Sequence, residues 1–379
     1  MIPLSLYVHL PWCVRKCPYC DFNSHVAGES PPKARYLDAL LRDIEFEGRR
    51  AAGRPLTSVF LGGGTPSLFT PGEIARLLDA VRRHFPLAPD VEITLEANPG
   101  TVECGAPAGY RAAGVNRLSI GAQSFSDAML KRLGRIHSAA DIRRTVAEAA
   151  AAGFDSFNVD IMYGLPGQDV ESALQDLEAA AALEPPHLSW YQLTLEPNTR
   201  FFARPPADLP DEDTLATIEA AGRAFLAGRG FGQYEVSAWA APGHRCRHNL
   251  NYWTYGDYLA AGAGAHGKLT GPAGIYRYRK PANPVVYMQT LEAGEPAGEQ
   301  PRLGAADVSF EFLMNALRLS EGFDESLYAE RTGLGPGTLE RAARPAVEKG
   351  LLGRDPAGRW RPTALGERFL DELTQSFLP

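Results

Sequence analysis

Apolar positions in the first half of the chain follow two alternating rhythms. Short runs rich in β-branched, aromatic and leucine residues occupy 4–9, 58–61, 92–96, 117–120, 156–162 and 187–194, and read as strands. Between them, 33–50, 71–84, 102–113, 139–152 and 170–183 repeat apolar residues every three or four positions, the period of an amphipathic helix. Helix punctuation agrees: Thr70-Pro71 opens one segment, and Gly114 and Gly153 follow the ends of two others. Strands alternating with helices predict parallel strands joined by crossover helices. Six such units fit an α/β fold of the TIM type, a partial (βα)6 barrel. In barrels of this kind, reactive groups collect at the C-terminal ends of the strands.

The pattern changes near the end. Gly, Pro, Glu and Gln cluster over 294–304. Beyond lie expected helices at 305–317, 324–331 and 336–349, a small hairpin at 350–360 and a last helix at 364–377. Helix, helix, hairpin is a winged-helix-like α+β pattern. The expected division is therefore 1–230 for the barrel, 231–293 for an extension of it, and 294–379 for a C-terminal domain.

Winged helices often bind DNA, but the helix in the recognition position mixes Glu340 and Glu348 with Arg341, Arg344 and Lys349. The 379-residue chain carries a net charge of −7 and lacks the basic excess of nucleic-acid-binding proteins. No apolar run reaches the ~18–20 residues of a membrane span. No charged segment followed by an apolar core marks a signal peptide at the start. A cytoplasmic location is expected, and its reducing conditions suit free thiolates.

The strongest chemical signal is Cys13, Cys17 and Cys20, spaced C-x3-C-x2-C just after the first strand. Iron–sulfur clusters usually take a thiolate on every iron. Three thiolates on a cubane leave one iron free for a small molecule. Structural zinc takes four protein ligands, and His9 or His25 could complete such a set. An odd cysteine count argues against a disulfide framework.

Further candidates fall at successive strand ends. Gly62-Gly63-Gly64-Thr65-Pro66 follows the second strand and lacks the Gly-Lys-Ser/Thr of a phosphate-binding loop. Glu96 ends the third strand. Gln123, able to donate and accept, ends the fourth. Arg135 offers a fork for a carboxylate, and Asp160 interrupts the apolar fifth strand, where a buried carboxylate needs hydrogen-bond partners. Singly, each residue reads more readily as structural. Their ordered recurrence is the signal.

Together these motifs resemble the radical SAM superfamily, and within it the heme chaperones of the coproporphyrinogen-oxidase-like branch. The matching stretches are 7–22, 62–66, 96–99, 117–125, 133–137, 158–168 and 232–268. The resemblance implies that Cys13, Cys17 and Cys20 ligate a [4Fe–4S] cluster whose open iron takes S-adenosylmethionine (SAM). It further implies that Tyr7, Tyr19, Gly63, Gly64, Thr65, Glu96, Gln123, Arg135, Asp160 and Thr194 contact SAM.

Two functions compete under that resemblance: a heme carrier, and an oxygen-independent coproporphyrinogen III oxidase. The oxidases carry a fourth cysteine two positions after the third, where this chain has Phe22, and an extension before the first strand, whereas this sequence reaches its expected first strand almost immediately. The segment His248-Asn249-Leu250-Asn251-Tyr252-Trp253 resembles a heme-binding signature of the chaperones. His248, Cys246 and His244 are each chemically able to ligate heme iron. The resemblance also implies an electron donor to the cluster and heme-accepting partners such as membrane respiratory cytochromes. Those partners would place the protein at the inner-membrane surface without anchoring it. Pairing with a second copy is left open.

Overall fold

The computed structural model describes residues 2–100, 106–295 and 299–378. Six strands lie side by side in chain order and all parallel: β1 (Leu4–Leu10), β2 (Leu56–Gly63), β3 (Leu87–Ala97), β4 (Arg117–Gln123), β5 (Phe157–Tyr163) and β6 (His187–Gln192). The helices Lys33–Ala51, Pro71–His84, Pro107–Ala113, Ala139–Ala151 and Val170–Ala181 connect them. The segment 101–105, where the third helix was expected to start, lies outside the described residues. Capping boxes fix the starts of three helices, pairing Thr70 with Glu73, Ser138 with Asp141 and Asp169 with Ser172.

β3 starts five residues earlier than its apolar pattern suggests. Leu56 of β2 faces Leu87, and the next paired residue, Ser58, faces Glu92. The residues between, Pro89 among them, bulge out of the ladder, which is where a strand tolerates proline.

The sheet extends past both sides of the six. Asp257–Ala261 runs parallel to β1, with Ala260 opposite Tyr7. His266–Gly271, Gly274–Arg279 and Glu299–Arg302 follow it antiparallel. On the far side, Ala238–Ala240 and Gly232–Glu235 add antiparallel to β6. The result is one twelve-stranded α/β sheet with helices outside it, a partial barrel.

Strand periodicity then separates two environments. On β1, Leu4, Leu6, Val8 and Leu10 are buried in the core that also holds Leu37, Leu40 and Ile44 of the first helix. The alternate residues point inward. The interior positions read Tyr7 and His9 on β1, Arg117, Ser119 and Gln123 on β4, Asn158 and Asp160 on β5, and Ser189 and Tyr191 on β6. A TIM barrel fills this space with branched apolar side chains. Here it is lined with polar groups and left as a cavity.

The extension is tied to the barrel by a buried ionic network. Lys280 contacts Asp43 at 2.5 Å and Glu47 at 2.8 Å, all with fully buried side chains. Tyr287 and the Gly262 N–H also donate to Asp43.

A second apolar core, built on Phe312, Phe323, Tyr328, Leu339 and Trp360, organises the C-terminal region. Its helices Ala305–Ala316, Glu325–Thr332 and Pro336–Glu348 and its hairpin Leu352–Arg354/Trp360–Pro362 follow the winged-helix-like expectation. The last helix is broken into Ala364–Arg368 and Leu370–Gln375. Leu373 and Phe377 are buried in the second core while Leu365 and Phe369, eight and four positions before Leu373 on the same expected stripe, stay exposed, so the core takes up only the second half of the segment.

Candidate functional site

A cavity of about 720 Å3 occupies the barrel interior and opens at the C-terminal ends of the strands. The chain reaches its mouth straight from β1. Trp12–Cys13 pairs with His25–Val26, and the cysteine loop is held between them. Cys17, Cys20 and Cys13 all line the cavity and are unpaired thiols.

Hydrogen-bonding groups already face all three sulfurs, Ser24 Oγ lying 3.7 Å from Cys20 Sγ. Thr65 Oγ1 donates to Cys13 Sγ at 3.4 Å, and Arg135 Nη1 lies 3.7 Å from Cys17 Sγ. Hydrogen bonds to sulfur are one of the levers that tune an iron–sulfur site. Burial pushes the Cys13 and Cys20 thiols above their ordinary pKa, so their thiolates need a positive partner.

The glycine-rich turn docks directly under this loop. The Gly64 N–H donates to Leu10 O and the Thr65 N–H to Trp12 O. A Cβ on Gly64 would lie 2.6 Å from Trp12 O, so only glycine allows the approach. Gly63 adopts φ +118°, and its N–H donates to Glu96 Oε2 at 3.0 Å.

Glu96 is half-buried, and desolvation together with nearby Asp160 raises its carboxyl to about 7. Asp160 is likewise pushed up by burial, though it accepts from Asn158 Nδ2 at 2.7 Å and Ser119 Oγ at 3.3 Å. Gln123 sits at φ +71°, an unusual conformation for a non-glycine residue, and accepts from Tyr191 OH at 2.8 Å. Arg135 Nη2 donates to Asn98 Oδ1 at 2.6 Å and to Gly121 O at 2.8 Å, and Asn98 in turn donates to Thr65. Tyr7 donates toward His9, and Tyr19 packs against Phe201.

The structure thus gathers every sequence-derived SAM residue but one. Thr194 lies two positions beyond β6, is exposed, and does not line the cavity. Sequence reasoning overlooked Asn98, which bridges the turn to Arg135, and Arg117 at the cavity floor. Asn98 stands in the quoted Glu96–Pro99 stretch, so its signal was present.

His248 lies in the helix Arg247–Trp253, which covers the opposite end of the barrel from the cysteines. Glu92 of β3 accepts from the backbone N–H groups of Arg247 and His248, both at 3.1 Å. The His248 ring is fully buried and stacked on Phe60. Ser58 Oγ lies 2.9 Å from Nδ1 and Tyr252 OH 3.2 Å from Nε2. Burial lowers its pKa to about 3, keeping the imidazole neutral. Cys246 is also buried, with its thiol pushed up to about 12. His244 does not line the cavity.

The donor sets permit a test of fit. His9, one candidate for a fourth zinc ligand, has Nε2 on Asn23 O at 2.9 Å and Nδ1 beside Tyr7 OH at 3.0 Å. Among the described residues no three His, Cys, Asp or Glu side chains converge on a single-ion position. A cubane takes one thiolate per iron and needs no such convergence. Three free thiols at the mouth of a polar cavity fit a cluster with one open iron.

Residues 7–180 match the radical SAM superfamily model, and residues 303–369 match the HemN C-terminal domain. Over 377 residues the chain is 48% identical to the heme chaperone HemW of Escherichia coli K12, spanning 99% of this chain and 98% of that protein. The chain belongs to the HemW family of radical SAM proteins. The HemW of Haemophilus influenzae is 47% identical over 99% of this chain and 98% of its own length. The solved structure of E. coli coproporphyrinogen III oxidase, HemN, described as a radical SAM enzyme, matches with a TM-score of 0.83 at 27% identity. That match covers 99% of this chain and 90% of HemN. In this HemW-family chain the radical SAM match holds the cysteines, the glycine turn, Glu96, Gln123, Arg135 and Asp160, and stops short of Thr194 and His248.

Proposed function

We propose that this protein is a radical SAM-type heme chaperone: it holds a [4Fe–4S] cluster on Cys13, Cys17 and Cys20, binds SAM above the barrel interior, and carries heme to acceptor proteins. The observation that carries the reading is full-length identity of 48% to a protein named a heme chaperone, against 27% to the oxidase. Phe22 supports it, since it is 60% exposed at the cavity edge where the oxidases carry a cysteine.

A cluster on these cysteines with SAM bound would supply one-electron reductive chemistry at the sulfonium, breaking an S–C bond with methionine as the leaving group. The chain's own residues then have distinct tasks. Glu96 and the Gly63–Thr65 turn suit the ammonium end of SAM. Arg135 suits its carboxylate by fork pairing. Asp160 suits hydroxyls of the ribose, and the polar cavity walls orient the nucleoside. Heme binding draws on the region of His248, Tyr252 and Trp253, which also faces the cavity. Among the described residues no helix is long and apolar enough to cross a membrane. Delivery to membrane respiratory cytochromes would therefore work through peripheral contact, with a separate electron donor serving the cluster.

One anaerobic preparation decides between carrier and oxidase. The reconstituted protein is titrated with heme, mixed with an apo-cytochrome, and separately given coproporphyrinogen III with SAM and a reductant. Stoichiometric heme binding and transfer without turnover is the expected result. Rapid SAM-dependent formation of protoporphyrinogen IX would reverse the assignment.

A further inference from the structure

Below the level of Glu96 and Asp160 the barrel interior has a second polar layer that the SAM residues leave unused. Arg117 opens β4 there, opposite Thr94 of β3, whereas Ser119 is the residue opposite Glu96. Gln123 stands six positions further along the strand, roughly 20 Å away at ~3.3 Å per residue.

Arg117 is 2% exposed, and its side chain lines the cavity. Its Nε is buried without a hydrogen-bond partner, and among the described residues the guanidinium forms no ion pair or hydrogen bond. The carboxylates that act on it from a distance are Glu92 and Asp160, and both are engaged elsewhere. Glu92 accepts from the backbone of the Arg247–Trp253 helix, and Asp160 accepts from Asn158 and Ser119. The neighbouring imidazoles of His187 and His248 offer no negative charge.

An arginine keeps its proton under all ordinary conditions. Glu92 and Asp160 offset its charge from a distance, but a buried guanidinium whose donors make no hydrogen bond still carries the cost of leaving them unpaired. The planar fork of a guanidinium matches a carboxylate in geometry as well as charge. The walls around it add a second requirement. Phe60, Tyr252 and Trp253 line the same end of the cavity, so the group that brings the carboxylate has an apolar, flat body.

We infer that the cavity floor around Arg117 is a carboxylate-binding subsite, separate from the SAM level, and that it takes a propionate arm of a tetrapyrrole. This rests on the heme-carrier reading for the identity of the ligand. The subsite gives the cavity two recognition levels: adenosyl and methionine groups near the cysteines, and an acidic side arm of the cargo near the sealed end.

The test compares ferric heme with its dimethyl ester, in which both propionates are neutral, in the same mild detergent. Wild-type protein is expected to bind heme roughly tenfold or more tightly than the ester, the scale of a charged hydrogen bond. Arg117→Gln weakens heme binding by a similar factor and leaves ester binding unchanged, while Arg117→Lys restores part of the heme affinity. Equal weakening of heme and ester in Arg117→Gln would assign Arg117 to the fold and overturn the subsite. If Arg117→Gln does not fold, the wild-type comparison still decides, since equal affinity for heme and ester overturns the inference. Wild-type protein that binds neither porphyrin refutes the heme reading itself, and the tetrapyrrole subsite with it.

Discussion

Glu96 shows how far one residue's chemistry follows from its surroundings. A carboxylate at a strand end is legible in sequence, but its state is not. Burial and the proximity of Asp160 hold it near 7, so the ligand-free site is partly protonated at neutral pH. A pKa raised in the folded protein means that Glu96 favours the native state at low pH and loses that contribution as pH rises through about 7. Binding an ammonium group favours the ionised form and has the opposite sign. SAM affinity should therefore rise with pH, by up to about tenfold per unit below pH 7, and level off above it. Equilibrium dialysis between pH 5.5 and 8.5 measures this. Glu96→Gln should bind weakly and show a flat profile, and a wild-type profile without slope would remove Glu96 from the ammonium site.

His248 carries the opposite lesson. Its motif marked it as a heme ligand candidate, yet neither partner of its ring, Ser58 nor Tyr252, was legible as such. Both contacts cross from distant parts of the chain or depend on the turn of a short helix. His248→Ala removes one buried and one part-buried hydrogen bond and leaves a void. The variant should lose about 2–4 kcal/mol of stability, read by denaturant unfolding of the protein without heme. An unchanged midpoint would mean that the ring contributes nothing to the floor of the barrel.

At the scale of elements, the six strands and their crossover helices were readable because each carries a clean period and conventional caps. Three features were not. Asp257–Ala261 is short and alanine-rich, and becomes a strand only by lying against β1. The helix Glu212–Gly228 has few buried residues, so its apolar stripe is faint. The break at Phe369 follows from which residues the second core accepts, a tertiary decision. A buried tie between elements was also invisible, because Lys280 lies more than two hundred residues from Asp43 and Glu47. Removing the cation alone leaves two carboxylates buried together. Lys280→Met should cost about 3–5 kcal/mol, seen as a lower unfolding midpoint. A loss below about 1 kcal/mol would show that water reaches the network.

At the scale of the molecule, the alternation that makes strands also sorts chemistry. Apolar residues on one face build a core beneath the helices, and polar residues on the other turn the barrel interior into a chamber. The cysteine loop, the glycine turn and the strand-end residues were legible because they cluster in short motifs near one rim. The floor was not, because Arg117, His187 and the Arg247–Trp253 helix meet only after the sheet curves round. The whole account depends on the rim holding a cubane with one iron uncommitted to protein.

The direct measurement is Mössbauer spectroscopy of anaerobic protein reconstituted with 57Fe and sulfide, recorded with and without SAM. The account predicts a [4Fe–4S] spectrum in which one iron of four changes its parameters when SAM is added, and its loss in the triple variant Cys13→Ala, Cys17→Ala, Cys20→Ala. A sample without a cubane, or one whose four irons are all indifferent to SAM, would contradict it.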